Sequence, residues 1–491
     1  MTAPLHFLTE RYLSVDRRVL AAFRITMGVV LLVDVLRRIP FAAMLYSDAG
    51  VLPTRLARAG DEEISLFFLA STPREATIGM LLCAGVYLAY LVGFRTRVAQ
   101  ILAFVAFTSL NGRNLLVENR GHVEIALALM WTLVLPLGDR CSIDALRRPL
   151  SAEARQRPVT SLAVLAITLQ VVAIYGLNAW QKGGAAWESG QAVHYVLWQN
   201  RAATSFAAWL RQHEPAWFSP FMTYGTRVAE AFCALAAISP IAQRHLRTLL
   251  LVVALWLHLS IAISINVWPH SFIILAIDLL LLPPAVIDRL ANAKWLSFIP
   301  RPAAAPTPSA TPPSSRVIVS LREGAVLFML VAALLRISHD NPKLPDALRA
   351  DDIGLFDPLT RYPRLFQRWA MFAEMPTTDG TVVVDAITAD GRRIDPLTGS
   401  EPDLSAPLNG PWLLSQLQCD YYPRLERADD PAYVDAFVAY LTRWHELEDR
   451  PSGDRLVSFQ VYWISSDSPP YGETVPRNVQ RRLLASYPEP E

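Results

Sequence analysis

Residues 175–190 read YGLNAWQKGGAAWESG and follow an apolar run, 159–173, whose length suits a helix. Lys182 comes after that run, beside Gly183 and Gly184, and the next acidic residue along the chain is Glu188. A lysine in this position is either an anchor that reaches the membrane interface or a base whose proton affinity is altered by burial. The choice between these two roles decides what the protein does.

The composition indicates a membrane protein with several spans. Of 491 residues, 52% are hydrophobic and 18% are charged, and the mean hydropathy is +0.27. Soluble globular proteins carry roughly 25% charged residues. The net charge of +1 gives no reason to expect a nucleic-acid partner. The four cysteines have no metal-like spacing, so we expect neither a metal site nor a disulfide framework.

Nine apolar segments are expected to cross the membrane. They are residues 19–36, 76–93, 99–110, 122–137, 159–178, 224–238, 249–265, 271–286 and 317–335. If the N-terminus is cytoplasmic, most loop arginines fall on the cytoplasmic side, which is the usual charge bias of membrane proteins. An odd number of spans then places residues 340–491 outside.

The C-terminal part of the chain differs in character. Residues 381–396 predict a β-hairpin around Ala389-Asp390-Gly391, residues 437–447 a helix and residues 456–465 a strand. The predicted fold is an all-α polytopic membrane protein of about nine transmembrane helices, with a small extracytoplasmic α+β C-terminal domain. Its parts are an eight-helix transmembrane domain (1–298), a Pro-rich linker (299–316), a ninth helix (317–337) and the outer domain (338–491).

Polar residues inside membrane spans are candidates for function. In the predicted topology, four of them fall at similar depth near the outer face: Lys182, His122, His258 and His270. Each also has an ordinary role, since a lysine at a helix end often reaches the interface and a histidine often packs in a core. Glu124, just below His122, is expected to pair with a neighbouring cation. A catalytic lysine would have to be desolvated. The two glycines and Trp187 would pack closely around it and exclude water.

The spacing Y-G-L-x4-K-x4-W-x2-G in residues 175–190 resembles the active-site segment of the vitamin K-dependent γ-carboxylases. It also resembles the wider family that carries the horizontally transferred transmembrane (HTTM) domain. Residues 24–53, 111–146 and 258–272 are similar to further segments of that domain. The resemblance covers about residues 15–290.

The resemblance implies a bacterial-type homologue in the inner (cytoplasmic) membrane, with a cytoplasmic N-terminus and an extracytoplasmic C-terminal domain. It implies that Lys182 deprotonates reduced vitamin K or menaquinol, in chemistry that also uses O2 and CO2. By position it implies catalytic roles for His122 and His258. We expect the substrate to be bound by Tyr175, Trp187, Asn266 and His270.

Two departures from the family bear on the substrate. Gln181 stands where the carboxylases have a second lysine, and the outer domain is much shorter than theirs. The expected function is quinol oxygenation or epoxidation, with or without coupled carboxylation of glutamate on a protein or peptide held at the outer domain. The alternative is a non-catalytic membrane protein that binds a quinone, a lipid or a protein partner through the same cavity or through the outer domain.

Overall fold

The computed structural model describes residues 3–59, 64–291, 316–405 and 416–488, which are mostly helical. The helices of eight or more residues are α1 (Ala3–Tyr12), α2 (Arg17–Arg38), α3 (Pro73–Val92), α4 (Thr96–Gly112), α5 (Arg120–Thr132), α6 (Leu162–Gln181), α7 (Ser205–His213), α8 (Phe218–Ile238), α9 (Gln243–Ser264), α10 (His270–Leu279), α11 (Pro284–Ala291), α12 (Arg316–Asp340), α13 (Gln416–Glu426) and α14 (Ala432–Thr442). The strands are β1 (Ser14–Val15), β2 (Val159–Thr160), β3 (Thr378–Thr388), β4 (Arg393–Ile394), β5 (Leu456–Asp467) and β6 (Arg477–Tyr487).

Five helical segments in the described part of the chain are long and apolar enough to cross a membrane. They are Arg17–Tyr46, Pro73–Val92, Leu162–Gln181, Gln243–Ser264 and Arg316–Asp340. Large apolar side chains such as Leu82, Ile101 and Leu255 are exposed on the outside of the bundle. An apolar outer surface of this kind suits contact with lipid.

Local signals in the sequence fix where the helices begin and end. The Thr72 hydroxyl accepts a hydrogen bond from the backbone N–H of Glu75, whose carboxylate accepts one from the N–H of Thr72. This reciprocal capping box starts α3. Gly93 ends the helix with φ of +67°, a left-handed conformation that glycine adopts without strain.

The fifth predicted span begins later in the structure than its apolar run suggests. Val159 and Thr160 form β2, which pairs antiparallel with β1, so the helix starts at Leu162. Ser161 caps it by accepting a hydrogen bond from the N–H of Ala163. The helix then continues to Gln181, directly before Lys182.

The helix order in space brings distant parts of the chain together. Helix α6 packs against α8, α8 against α9, and α9 against α10. Helix α10 also contacts α2, α5 and α6. The polar residues that this arrangement encloses therefore come from the middle of the chain, between α5 and α10.

The C-terminal part contains a four-stranded antiparallel sheet with the order β4-β3-β5-β6. The predicted hairpin is confirmed, since Ala386 pairs with Ile394, and the predicted strand lies within β5. The predicted helix 437–447 is split into α14, which ends at Thr442, and a short turn, Trp444–Leu447. Strand β6 was not predicted. Most of the predicted Pro-rich linker lies outside the described residues.

Candidate functional site

Lys182 is held at the end of α6 by contacts on both sides of it. Its backbone N–H donates to the carbonyl of Asn178, and the chain then turns through Gly184, whose φ is +82°. The preceding Gln181 donates from Nε2 to the carbonyl of Trp369 at 2.7 Å. The lysine side chain is only 4% exposed, so it points into the protein and not towards the interface.

A carboxylate from another helix pairs with Lys182. The Nζ atom lies 2.7 Å from both Oε1 and Oε2 of Glu230. Glu230 lies on α8 and is only 8% exposed. Nζ also lies 5.4 Å from the ring centroid of Trp187. Glu188, the nearest acidic residue along the chain after Lys182, is exposed. The partner of the lysine is therefore supplied by packing between α6 and α8.

Lys182 and Glu230 face a largely apolar cavity with a volume of about 930 Å³, including the space at its open side. Its walls come from α6, residues 187–197, α8, α9, the start of α10 and the segment around Phe372. The apolar lining includes Ile174, Val196, Leu197, Phe218, Met222, Leu257, Ile261 and Met371. Of the predicted site residues, the structure places Tyr175, Lys182, Trp187, His258 and His270 on this cavity.

His258 belongs to a buried chain of three polar groups. Its Nε2 lies 3.0 Å from the hydroxyl of Tyr175, and that hydroxyl donates to Oδ2 of Asp278 at 2.7 Å. Among the described residues, Nδ1 of His258 has no hydrogen-bond partner although the side chain is buried. One nitrogen of the ring is thus held by Tyr175, and the other is unpaired among the described residues.

His270 is tethered in a similar way, by Glu124. Its Nδ1 lies 3.0 and 2.9 Å from the two carboxylate oxygens of Glu124, which is fully buried. The rings of His270 and His258 meet edge to face with centroids 5.3 Å apart. Glu124 was expected to pair with a cation, and its partner is this histidine of the cavity wall.

His122 and Asn266 are not brought to the cavity. Nε2 of His122 lies 2.8 Å from Nη2 of Arg38 and 3.6 Å from Oδ1 of Asp34, in a buried polar cluster. Asn266 lines a neighbouring pocket of about 670 Å³ with Trp268 and Ser271. His122 was expected to be catalytic and Asn266 to bind the substrate, but neither side chain lines this cavity.

The chain after α12 closes one side of the cavity. The indole N–H of Trp187 donates to the carbonyl of Phe372 at 2.9 Å, and the N–H of Met371 donates to Oδ1 of Asn178 at 2.8 Å. The same segment is fixed by Arg364, which makes two 2.7 Å hydrogen bonds to Glu118. Burial by itself raises the pKa of Glu118, but Arg364, with smaller contributions from His122 and Arg424, brings the pKa below its usual value.

Trp187 and Trp198 lie in the tryptophan-rich connection between α6 and α8. Both are buried, whereas Trp209 and Trp217 of the same loop are exposed. Sequence reasoning also missed Glu230 and Asp278. The available signal was that each is a lone carboxylate inside an apolar segment, which is costly in a membrane unless it has a partner.

Comparisons with protein-family models, with curated proteins and with solved structures found no match to this chain. In the described part of the chain, no three His, Cys, Asp or Glu side chains are grouped as they would be around a metal ion. Fold and site together define a mostly helical protein with membrane-length helices and one apolar cavity that carries a buried ion pair and two tethered histidines.

Proposed function

We propose that the protein is a membrane-embedded enzyme that binds a quinol in this cavity and removes a proton from its hydroxyl group. The reaction class is the one that the vitamin K-dependent carboxylases begin with, quinol oxygenation or epoxidation by dioxygen, with or without coupled carboxylation by CO2. The observation that carries the proposal is the buried Lys182–Glu230 pair facing an otherwise apolar cavity.

The ion pair provides both groups that deprotonation needs. Glu230 is the proton acceptor, and Lys182 remains as the cation beside the oxygen that loses its proton. The proton moves from the hydroxyl oxygen to a Glu230 oxygen, and the electron pair stays on the substrate as an aryloxide. The net charge of the site is the same before and after transfer, because the aryloxide replaces the carboxylate as the anion next to Lys182.

The rest of the cavity suits the body of such a substrate. Ligand sites are commonly clefts with apolar walls and a few polar groups, and this cavity has that character. Its walls would contact an aromatic head group and the start of an apolar tail. Because the cavity lies among helices that face lipid, a membrane-dissolved quinol could reach it without passing through water.

We infer a topology of nine spans in a bacterial inner membrane, with the N-terminus cytoplasmic and the C-terminal domain outside. A helix overlaps each of the nine predicted segments, although only five helices meet the length and hydropathy expected of a span. The four cysteines offer a test, because Cys141 is exposed and the other three are buried. A membrane-impermeant maleimide applied to intact spheroplasts should spare Cys141 and label a Glu401→Cys variant. Labelling in the reverse pattern would refute this topology.

The test of function is incubation of purified protein in detergent with reduced menaquinone or reduced vitamin K, with epoxide formation as the readout. Turnover by the native protein should be lost in Lys182→Ala and in Glu230→Gln. Lys343→Ala is the matched control, because that lysine is half exposed and pairs with Glu374 on the surface. Equal turnover in Lys182→Ala and Lys343→Ala would refute the proposal.

A non-catalytic quinone-binding protein is the second candidate. It is favoured by the ion pair itself, since both oxygens of Glu230 are already satisfied by Lys182. Such a protein would bind the quinol or the quinone without forming any product, and Lys182→Ala would change its affinity only. Binding and turnover measured on the same preparation separate the two candidates.

A further inference from the structure

Each histidine of the cavity is held through one ring nitrogen, His270 by the Glu124 carboxylate and His258 by the Tyr175 hydroxyl, and this controls what the other nitrogen can do. A neutral imidazole has one N–H and one lone pair, and the partner of one nitrogen decides which nitrogen carries the hydrogen. The tethers therefore determine whether the cavity offers donors or acceptors to a ligand.

For His270, the tether makes Nδ1 the donor. Nδ1 faces both oxygens of Glu124 at 3.0 and 2.9 Å, and a carboxylate can only accept hydrogen bonds. The hydrogen of the neutral ring therefore lies on Nδ1, and Nε2 keeps its lone pair. Nε2 makes no hydrogen bond within the described part of the chain, and the side chain lines the cavity.

For His258, the tether acts through Tyr175. The tyrosine has one hydroxyl hydrogen, which it donates to Asp278 at 2.7 Å, so its oxygen can only accept from the ring nitrogen 3.0 Å away. Nε2 of His258 therefore carries the hydrogen and Nδ1 has the lone pair. That Nδ1 is the buried atom left without a partner among the described residues.

We propose that Glu124 and the Tyr175–Asp278 pair fix both cavity histidines as hydrogen-bond acceptors, so that the site selects the reduced, hydroxyl-bearing form of its ligand over the oxidised, carbonyl form. The inference rests on the proposed function and specifies the redox state that the site recognises. Quinol hydroxyls can donate to these nitrogens. Quinone carbonyls cannot, and a bound quinone leaves both acceptors buried and unpaired.

Glu124, Tyr175 and Asp278 are positioning residues in this account, since they act through the histidines. Their substitution should change the ratio of the hydroquinone affinity to the quinone affinity more than it changes either affinity alone. In Glu124→Gln, the amide can donate to Nδ1 and so allow the hydrogen to move to Nε2. In Tyr175→Phe, Nε2 of His258 loses its partner, and the ring is free to adopt either tautomer.

The experiment is anaerobic calorimetric titration of the full-length protein in detergent with three probes. They are 2-methyl-1,4-naphthohydroquinone, the corresponding quinone, and the dimethyl ether of the hydroquinone, which keeps the ring and both oxygens but cannot donate. The native protein should bind the hydroquinone about tenfold or more tightly than either other probe, because a lost donor leaves a buried acceptor unpaired.

The variants are then compared with Tyr471→Phe, which removes a hydroxyl that donates to the carbonyl of Ala216 at 2.7 Å and does not line the cavity. Glu124→Gln and Tyr175→Phe should lower the preference for the hydroquinone, while Tyr471→Phe should keep it. If either variant fails to fold, the three-probe comparison on the native protein still decides the matter.

Equal or tighter binding of the quinone would overturn this inference and leave the proposed function standing. That result would indicate the reversed proton arrangement, with a protonated Asp278 donating to Tyr175 and Nδ1 of His258 acting as a donor. Failure of all three probes to bind would overturn the inference together with the proposed function.

Discussion

Removal of one partner from the Lys182–Glu230 pair should destabilise the protein strongly, and removal of both should cost much less than the sum. Both residues are more than nine-tenths buried, and the ammonium contacts both carboxylate oxygens at 2.7 Å. Lys182→Met leaves an uncompensated carboxylate among apolar walls. Glu230→Gln leaves an uncompensated ammonium in the same place.

The size of the effect follows from the burial of the pair. Two unit charges about 4 Å apart attract each other by roughly 4 kcal/mol at an effective dielectric constant of 20. Loss of one partner of a buried pair is observed to cost about 3–5 kcal/mol of unfolding free energy. Because the double variant buries no unpaired charge, we expect a coupling energy of at least about 2 kcal/mol between the two positions.

The assay is reversible unfolding in mixed micelles by titration with SDS, followed by tryptophan fluorescence, for the native protein, both single variants and the double variant. The surface pair Lys343–Glu374 provides the control cycle, since its side chains are 48% and 84% exposed. Its coupling should be about 0–1 kcal/mol. If the double variant at 182 and 230 loses as much unfolding free energy as the two single variants together, the two side chains do not form a pair.

Two further predictions concern other parts of the molecule. Burial raises the pKa of Asp395, in the C-terminal sheet region, to about 7, above its unfolded value. The folded state therefore binds this proton more tightly than the unfolded state, and the stability should fall as the pH rises from about 4 to 7. Asp395→Asn should flatten that part of the pH profile of the melting temperature, and an unchanged profile would contradict this prediction. A Cβ at Gly121 would lie 2.6 Å from the backbone nitrogen of His270, so Gly121→Ala should lower the unfolding free energy by about 1–3 kcal/mol. Gly225 lies on a helix face with open space, so Gly225→Ala should not destabilise the protein. Equal stability of these two variants would show that α5 and α10 are not in close contact.

Most of the helices could be predicted from the sequence because apolar runs of membrane length determine them locally. Their ends were less certain, as the start of α6 shows. Pairing of Val159 and Thr160 with β1 depends on a segment about 145 residues earlier, which no local pattern reveals. Strand β6 was missed because its sequence, RNVQRRLLASY, carries three arginines and no regular apolar alternation.

The candidate site could be predicted in part because a membrane makes polar residues conspicuous. Lys182, His258 and His270 were selected for that reason and line one cavity. Glu230 was not, because its pairing with Lys182 joins residues 48 positions apart on different helices. His122 was placed in the site by resemblance and depth, but depth does not determine which side of a helix faces the cavity.

The proposed quinol site lies beside the Lys182–Glu230 pair. An electron cryo-microscopy structure of the protein prepared anaerobically with 2-methyl-1,4-naphthohydroquinone tests this binding mode. We expect ring density inside the cavity, with one hydroxyl oxygen within hydrogen-bond distance, about 3.2 Å, of Lys182 or Glu230. Density for the ring only at the lipid-facing surface, or a cavity filled by a lipid chain in the presence of saturating ligand, would contradict it.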